Sequence, residues 1–220
     1  MSDVAIPIYL VIDSSGSMTD VREDVHSLID VTMAQISTDS ALSDLFHLAV
    51  ITFATDATVL VPLTPGTLLA RTDVDRLSIS FGGRTNYGPA LALLLEKSRS
   101  DIQQLKKQGV RVYRPLVFFI TDGAPQDDQL IAGQLAELRD SPLRVVALSI
   151  GPMDPTTLLG VSVRGLAALA RSSTSPRGAL AACRRMIIDY IKGAQASTTS
   201  KQSLGLRLPP EFLEVTREMV

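Results

Sequence analysis

Residues 6–12 (IPIYLVI) form an unbroken apolar run of strand length, the mark of a strand covered on both faces of a parallel sheet. Directly afterwards, Val21, Val25, Leu28, Ile29, Thr32, Met33 and Ile36 recur at spacings of three and four, one stripe of an amphipathic helix. The alternation then repeats. Residues 45–53 (LFHLAVITF) read as a second strand, and 57–63 (ATVLVPL) as a short third one, paired as a hairpin or edge and stopped by Pro62. A loop rich in Thr, Pro, Gly and Asp follows. A Gly-rich turn then opens a helix of about 20 residues, with Ala90, Leu91, Leu94, Leu95 and Ile102 on its apolar face and Gly109 at its end. Residues 114–123 (RPLVFFITDG) read as a buried strand, 127–140 as a helix and 143–151 (LRVVALSIG) as a further strand. The segments 163–172 (VRGLAALARS) and 178–194 (GALAACRRMIIDYIKGA) read as helices.

Strands alternating with helices predict an α/β fold: a doubly wound, mostly parallel central sheet with one antiparallel edge strand and helices on both faces. The domain is expected to occupy residues 1–196. After Ala196 the composition turns polar (STTSK) and then to LGLRLPPEFLEV, so 197–220 reads as a C-terminal tail that docks on the domain or is dispensable to its core.

Composition narrows the function. The chain has 220 residues, 45% of them hydrophobic, enough for one large domain. A net charge of −2 argues against a nucleic-acid partner. A single cysteine, Cys183, makes no internal disulfide, fits a reducing compartment and, in its apolar helical setting, reads as a small buried hydrophobe. The N-terminus does not resemble a signal peptide, and no apolar run reaches membrane-spanning length, so no membrane is expected and a cytoplasmic location is.

Candidate chemistry gathers where such sheets bind ligands, at the carboxyl ends of their strands. The first strand runs into DSSGS, with Asp13, Ser15 and Ser17 at i, i+2 and i+4, a spacing that turns all three side chains the same way in an extended loop. The second loop is GGRTN at 82–86, where Thr85 opens the long helix, and the third is ITDGAP, with Asp122 just past an apolar strand. Each piece has an ordinary alternative: Ser15, Ser17 or Thr85 as a helix cap, Asp122 before Gly123 as a turn residue. Together they offer two carboxylates and three hydroxyls, hard oxygen donors suited to Mg²⁺ or Mn²⁺, with Ca²⁺ a further option, and unlike a zinc or copper set.

DSSGSM, GGRTNYGPAL and VFFITDGAPQDD resemble, in chain order, the three motifs of the von Willebrand factor A domain, over roughly residues 5–195. The resemblance implies a metal-ion-dependent adhesion site. In it Ser15 and Ser17 bind the metal directly, Thr85 directly or through water, and Asp13 and Asp122 mostly through water and hydrogen bonds. It further implies that a partner's glutamate or aspartate completes the metal's coordination. RPLVFFITDGAPQDD, VITFATDATVLVPLTPGT and SIGP also resemble the bacterial tellurite-resistance TerY-type subfamily. Its members are small cytoplasmic proteins found beside a protein kinase and a PP2C-like phosphatase, or in metal-stress gene clusters. The expectation is therefore a metal-dependent protein-interaction module with no catalysis of its own. An accessory subunit of an AAA+ ATPase is a second reading and a metal-dependent hydrolase a third. Against the hydrolase, neither histidine lies in a strand-end loop, and no G-x-S-x-G elbow or P-loop lysine pattern is present.

Other residues carry weaker expectations. His26 reads as solvated and His47 as structural; Arg84 and Asn86 are positioned to touch an anionic partner or simply to hold their loop. Asp127 and Asp128 read as the start of the helix that follows, and Tyr87 and Met18 as part of a rim around the metal.

Overall fold

A computed structural model describes residues 3–69, 78–127, 131–199, 206–216 and 218. The element order is β1 (Val4–Asp13), a 3₁₀ turn (Gly16–Val21), α1 (Arg22–Thr38), α2 (Ser40–Leu45), β2 (Phe46–Phe53), β3 (Ala57–Pro65), α3 (Gly66–Leu69) and α4 (Tyr87–Lys107). There follow β4 (Arg111–Val112), β5 (Leu116–Thr121), α5 (Ala132–Asp140), β6 (Arg144–Ser149), α6 (Pro155–Val161), β7 (Arg164–Ala170), α7 (Pro176–Thr199) and β8 (Phe212–Glu214).

The strands form one sheet in the order β3-β2-β1-β5-β6-β7-β8, with the two-residue β4 alongside the start of β1. β2, β1, β5, β6 and β7 are parallel, as the doubly wound reading expects, and β3 is antiparallel to β2. β8 adds a second antiparallel edge, against β7. β1 shows why its run is apolar throughout: Ile6, Ile8, Leu10 and Ile12 enter the core shared with α1 and α7, whereas Tyr9 and Val11 enter the core shared with α4. The chain leaves β1 for β2 on one side and later crosses to β5 on the other, so the order reverses at β1, the place where such sheets bind ligands.

Four sequence expectations are corrected here. Pro62 does not stop the third strand. β3 runs on to Pro65, because Pro62 is exposed on an edge strand and falls in a bulge, between the pairs Val50–Val61 and Leu48–Thr64. The segment 163–172 is a strand, β7, and not a helix. Its alanines favour helix, but the gap beside β6 overrides that preference, with Ala167 facing one core and Ala168 the other. Gly165 lies so close to β6 that a Cβ there would run into the Val145 carbonyl oxygen.

Third, within the segment 127–140 the described helix begins only at Ala132; Asp127 turns to another helix and Asp128 lies outside the described residues. Fourth, the last helix does not end at Ala196, and the described part of the tail docks on the domain, one of the two readings given for it. α7 continues past Ala196 to Thr199, and β8 pairs Phe212 with Ala170 and Leu213 with Leu169. Phe212 and Val215 are buried, Glu211 pairs with Arg185, and Arg171 Nε donates to the Pro210 carbonyl at 2.8 Å.

Candidate metal centre

Backbone hydrogen bonds draw three loops together at the C-terminal end of β1. Ser14 N and its hydroxyl both donate to the Phe53 carbonyl, at 2.7 and 3.1 Å, which holds the exit of β1 against β2. Gly82 N donates to the Ser14 carbonyl at 2.9 Å and Gly16 N to the Gly83 carbonyl at 3.3 Å, which brings in the 82–86 loop. Gln126 N donates to the Thr85 carbonyl at 2.8 Å and ties that loop to the one after β5. Gly83 has φ of +78°, and a Cβ on it would meet Thr55 Oγ1 at 2.6 Å, so this turn requires glycine.

The loops assemble a chain of oxygens. Asp13 is fully buried; its Oδ1 accepts from Ser15 N at 2.8 Å and its Oδ2 from the Thr121 hydroxyl at 2.7 Å. Ser15 Oγ lies 3.1 Å from Ser17 Oγ, and the Ser17 hydroxyl donates to Asp122 Oδ1 at 2.8 Å. Thr85, also buried, is placed by its backbone; its hydroxyl makes no hydrogen bond among the described residues. Asp13, Ser15, Ser17 and Asp122 are thus brought into one hydrogen-bonded cluster, and Thr85 stands on the loop that closes it.

The cap readings of Ser15 and Thr85 fail on geometry, and Asp122 does more than occupy a turn. Ser15 precedes the 3₁₀ turn but makes no side-chain cap, Asn86 and not Thr85 precedes α4, and the Asp122 carboxylate is engaged by Ser17.

Burial raises the Asp13 carboxyl above its usual range; hydrogen bonds from Thr121 and Ser15 oppose this, and the neighbouring Asp122 adds to it. Burial likewise raises Asp122, opposed by the Ser17 hydroxyl. Neither carboxylate has a Lys, Arg or His ion pair among the described residues. Two adjacent carboxylates, one of them wholly buried, with three hydroxyls and no cationic side chain make a donor set that fits a hard divalent cation. Among the described residues no three His, Cys, Asp or Glu side chains cluster as a metal site.

The model of the von Willebrand factor type A domain family matches residues 8–167. The chain belongs to that family. Comparison with curated protein sequences finds no match. Among solved structures, this VWA domain is similar to a von Willebrand factor type A protein from Catenulispora acidiphila (TM-score 0.63, 19% identity, 84% of this chain and 42% of that one). It is also similar to proximal thread matrix protein 1 from the mussel byssus, solved with a zinc-occupied MIDAS motif (TM-score 0.56, 20% identity, 87% and 46%). The N-terminal domain of TFIIH p34 is a third (TM-score 0.60, 17% identity, 84% and 97%). The chain spans less than half the length of the first two. At these identities the likeness speaks for the fold.

The VWA domain's site uses residues that sequence patterns do not single out. Thr121 supports Asp13 from one position before Asp122, at the end of a strand, where a hydroxyl after five apolar residues is the only signal. Asp127 accepts from Tyr87 N at 2.9 Å and Gly88 N at 2.7 Å, so it caps α4 from across the site rather than starting its own helix. A Cβ at Gly151 would run into the Asp122 carbonyl oxygen, so that close approach holds the third loop against the end of β6.

Tyr87 and Met18 are fully buried and form no rim. Tyr87 lies beneath the loops, its hydroxyl donating to the Gly123 carbonyl at 2.8 Å and its ring packed edge-on against Phe53 and Phe119. Asn86 Nδ2 donates to the Thr55 carbonyl at 3.1 Å and so holds its loop, while Arg84 is exposed. His26 is half-buried, with its ring beside Phe81. His47 sits at the end of β2 away from the cluster, and burial lowers its pKa. Cys183 is fully buried, and burial pushes its thiol far up, so it packs as a hydrophobe.

Proposed function

We propose that this VWA domain is a metal-dependent protein-interaction module that receives a glutamate or aspartate from a protein partner and catalyses nothing itself. The observation that carries the reading is the Thr121–Asp13–Ser15–Ser17–Asp122 hydrogen-bonded cluster at the sheet's reversal point. Ser15, Ser17 and Thr85 would hold Mg²⁺ (or Mn²⁺) through their hydroxyls, with Asp13 and Asp122 behind them. When bound, the metal supplies positive charge and a coordination position open to an outside carboxylate. This chain's residues orient the hydroxyls: Asp13 fixes the turn through Ser15 N, and Asp122 fixes Ser17.

Against a hydrolase, a serine nucleophile needs a base within hydrogen-bond reach, and both histidines lie off the cluster, one beside Phe81 and one at the far end of β2. Among the described residues no helix is long and apolar enough to cross a membrane, which is compatible with the cytoplasmic setting we propose. The TerY-type resemblance makes a Ser/Thr kinase or PP2C-like phosphatase of a stress-response system the first partner to test; an AAA+ ATPase comes second.

The test has two arms. Titration calorimetry with Mg²⁺ should show one site in the wild type and none in Asp13→Ala. Pull-down from native cells should retain partners with Mg²⁺ and release them with EDTA, and Thr85→Ala should weaken retention more than it weakens metal binding. Retention unchanged by EDTA would make the cluster a structural cation site and place the interface elsewhere. Ester or phosphate hydrolysis that disappears in Ser15→Ala would reinstate the enzyme.

A further inference from the structure

A cavity of about 320 Å³ lies beside the oxygen cluster, between the β2–β3 hairpin and residues 78–82. It shares Ser14 and Gly82 with the loops that build the cluster.

Its chemistry is one-sided. Among the described residues that line it, Asp56 is the one ionisable side chain and none is Lys or Arg. The Asp56 carboxylate has no hydrogen bond or ion pair among the described residues; only its carbonyl is used, accepting from Ala54 N at 2.8 Å. Hydroxyls of Thr55, Thr58 and Ser80 surround the space, and the half-buried side chains of Leu60 and Phe81 give it an apolar wall rooted in the core.

A carboxylate, hydroxyl acceptors and an apolar wall match the parts of a lysine or arginine side chain. The methylene stem lies on Leu60 and Phe81, and the charged head meets Asp56 and the hydroxyls. A second carboxylate in the same place would face Asp56 and be repelled.

We infer that this cavity is a side-chain subsite for a lysine or arginine lying next to the partner carboxylate that enters the metal centre. The recognised element is therefore an acidic–basic pair and not an acidic stretch. This inference rests on the metal-and-carboxylate reading above. It adds to that reading a source of partner selectivity: the cluster selects for an anion and the neighbouring cavity for a cation.

The test uses three pools of dye-labelled peptides with a fixed central glutamate, flanked within three positions by Lys/Arg, by Ser or by Glu, measured by fluorescence polarisation with Mg²⁺ and with EDTA. The Lys/Arg pool should bind at least about tenfold tighter than the Ser pool, with the Glu pool weakest. Asp56→Asn should bring the first two pools within about twofold of each other, and Asp56→Lys should favour the Glu pool, while calorimetric Mg²⁺ affinity stays at the wild-type value in both. Pools that bind equally but remain EDTA-sensitive, or a Lys/Arg preference that survives Asp56→Asn, would overturn the subsite and leave the metal reading standing. Binding by none of the pools with Mg²⁺, or binding indifferent to EDTA, would overturn both.

Discussion

β1 carries Ile, Val, Leu and Tyr at its centre and is hydrogen-bonded on both sides, to β2 and β5. β7 carries Gly, Leu and Ala, and its outer neighbour is β8, only three residues long. Both are parallel members of one sheet, yet they depend on different things. β1 contributes large side chains to two cores and would be recruited to the centre of almost any sheet this sequence could build. β7 contributes mainly smallness: Gly165 lets its backbone approach β6, and its outer edge is closed by residues that return from the end of the chain. The oxygen cluster hangs from the self-sufficient strand, and the dependent strand lies three places away. Stability at the β7–β8 edge and metal binding at β1 should therefore be separable.

The hardest break in this contrast is Gly165→Val. Its side chain would have to occupy the position of the Val145 carbonyl, so we expect a loss of about 4 kcal/mol or more, enough to abolish cooperative folding in urea melts. Gly133→Ala on α5, where a Cβ meets no atom within 4 Å, should be neutral or stabilising by up to about 1 kcal/mol. A Gly165→Val protein with a wild-type midpoint would mean that β7 does not pair as described.

Ending the chain after Thr199 should come next. It exposes the β7 edge and removes buried Phe212 and Val215, at a cost of about 3–5 kcal/mol; Phe212→Ala alone should account for about 3 kcal/mol of it. Phe212→Ala should nevertheless bind Mg²⁺ with unchanged affinity. A large loss of affinity in that variant would show that the two regions are coupled.

Metal linkage gives a smaller effect from the other side. Mg²⁺ at a hundred times its dissociation constant should stabilise the wild type by about 2.7 kcal/mol, and Asp13→Ala by nothing measurable. Equal gains in thermal midpoint in both proteins would put the bound cation elsewhere.

The smallest effect concerns His47, near the start of β2. Burial holds its pKa below the ordinary value, so protonation favours the unfolded chain, and stability is lost as pH falls through about 6.5, where the unfolded histidine takes up its proton. His47→Gln should flatten the decline below about pH 6.5 without altering Mg²⁺ affinity at neutral pH. An unchanged slope would assign the decline to other groups.

Much of the site was legible because it is built from residues adjacent in the chain. Asp13, Ser15 and Ser17 follow one strand at alternating positions, and Asp122 follows another, so local spacing carried the inference. Thr121 and Asp127 were not legible, since each acts across the fold, on Asp13 and on the α4 backbone. Tyr87 and Met18 look like candidates for a rim from their neighbours in sequence, but their apolar bulk was drawn beneath the loops. His26, off the apolar stripe of α1, is covered on one side by Phe81, a neighbour distant in the chain.

By itself, the sequence determined the alternation of strands and helices, the parallel centre of the sheet and the hydroxyl–carboxylate chemistry at strand ends. These follow from apolar periodicity and from donors only two residues apart, and neither requires knowledge of a distant neighbour. Only the tertiary structure decided that 164–170 is a strand, that residues 206–216 close its edge, and that Asp127 serves a helix 40 positions back in the chain. Helix preference in an Ala-rich segment amounts to a few tenths of a kcal/mol per residue, whereas a vacant, hydrogen-bonding sheet edge offers a whole row of backbone partners and two cores to fill. The sheet edge therefore prevails over the local preference, and that edge exists only once the rest of the chain has folded around it.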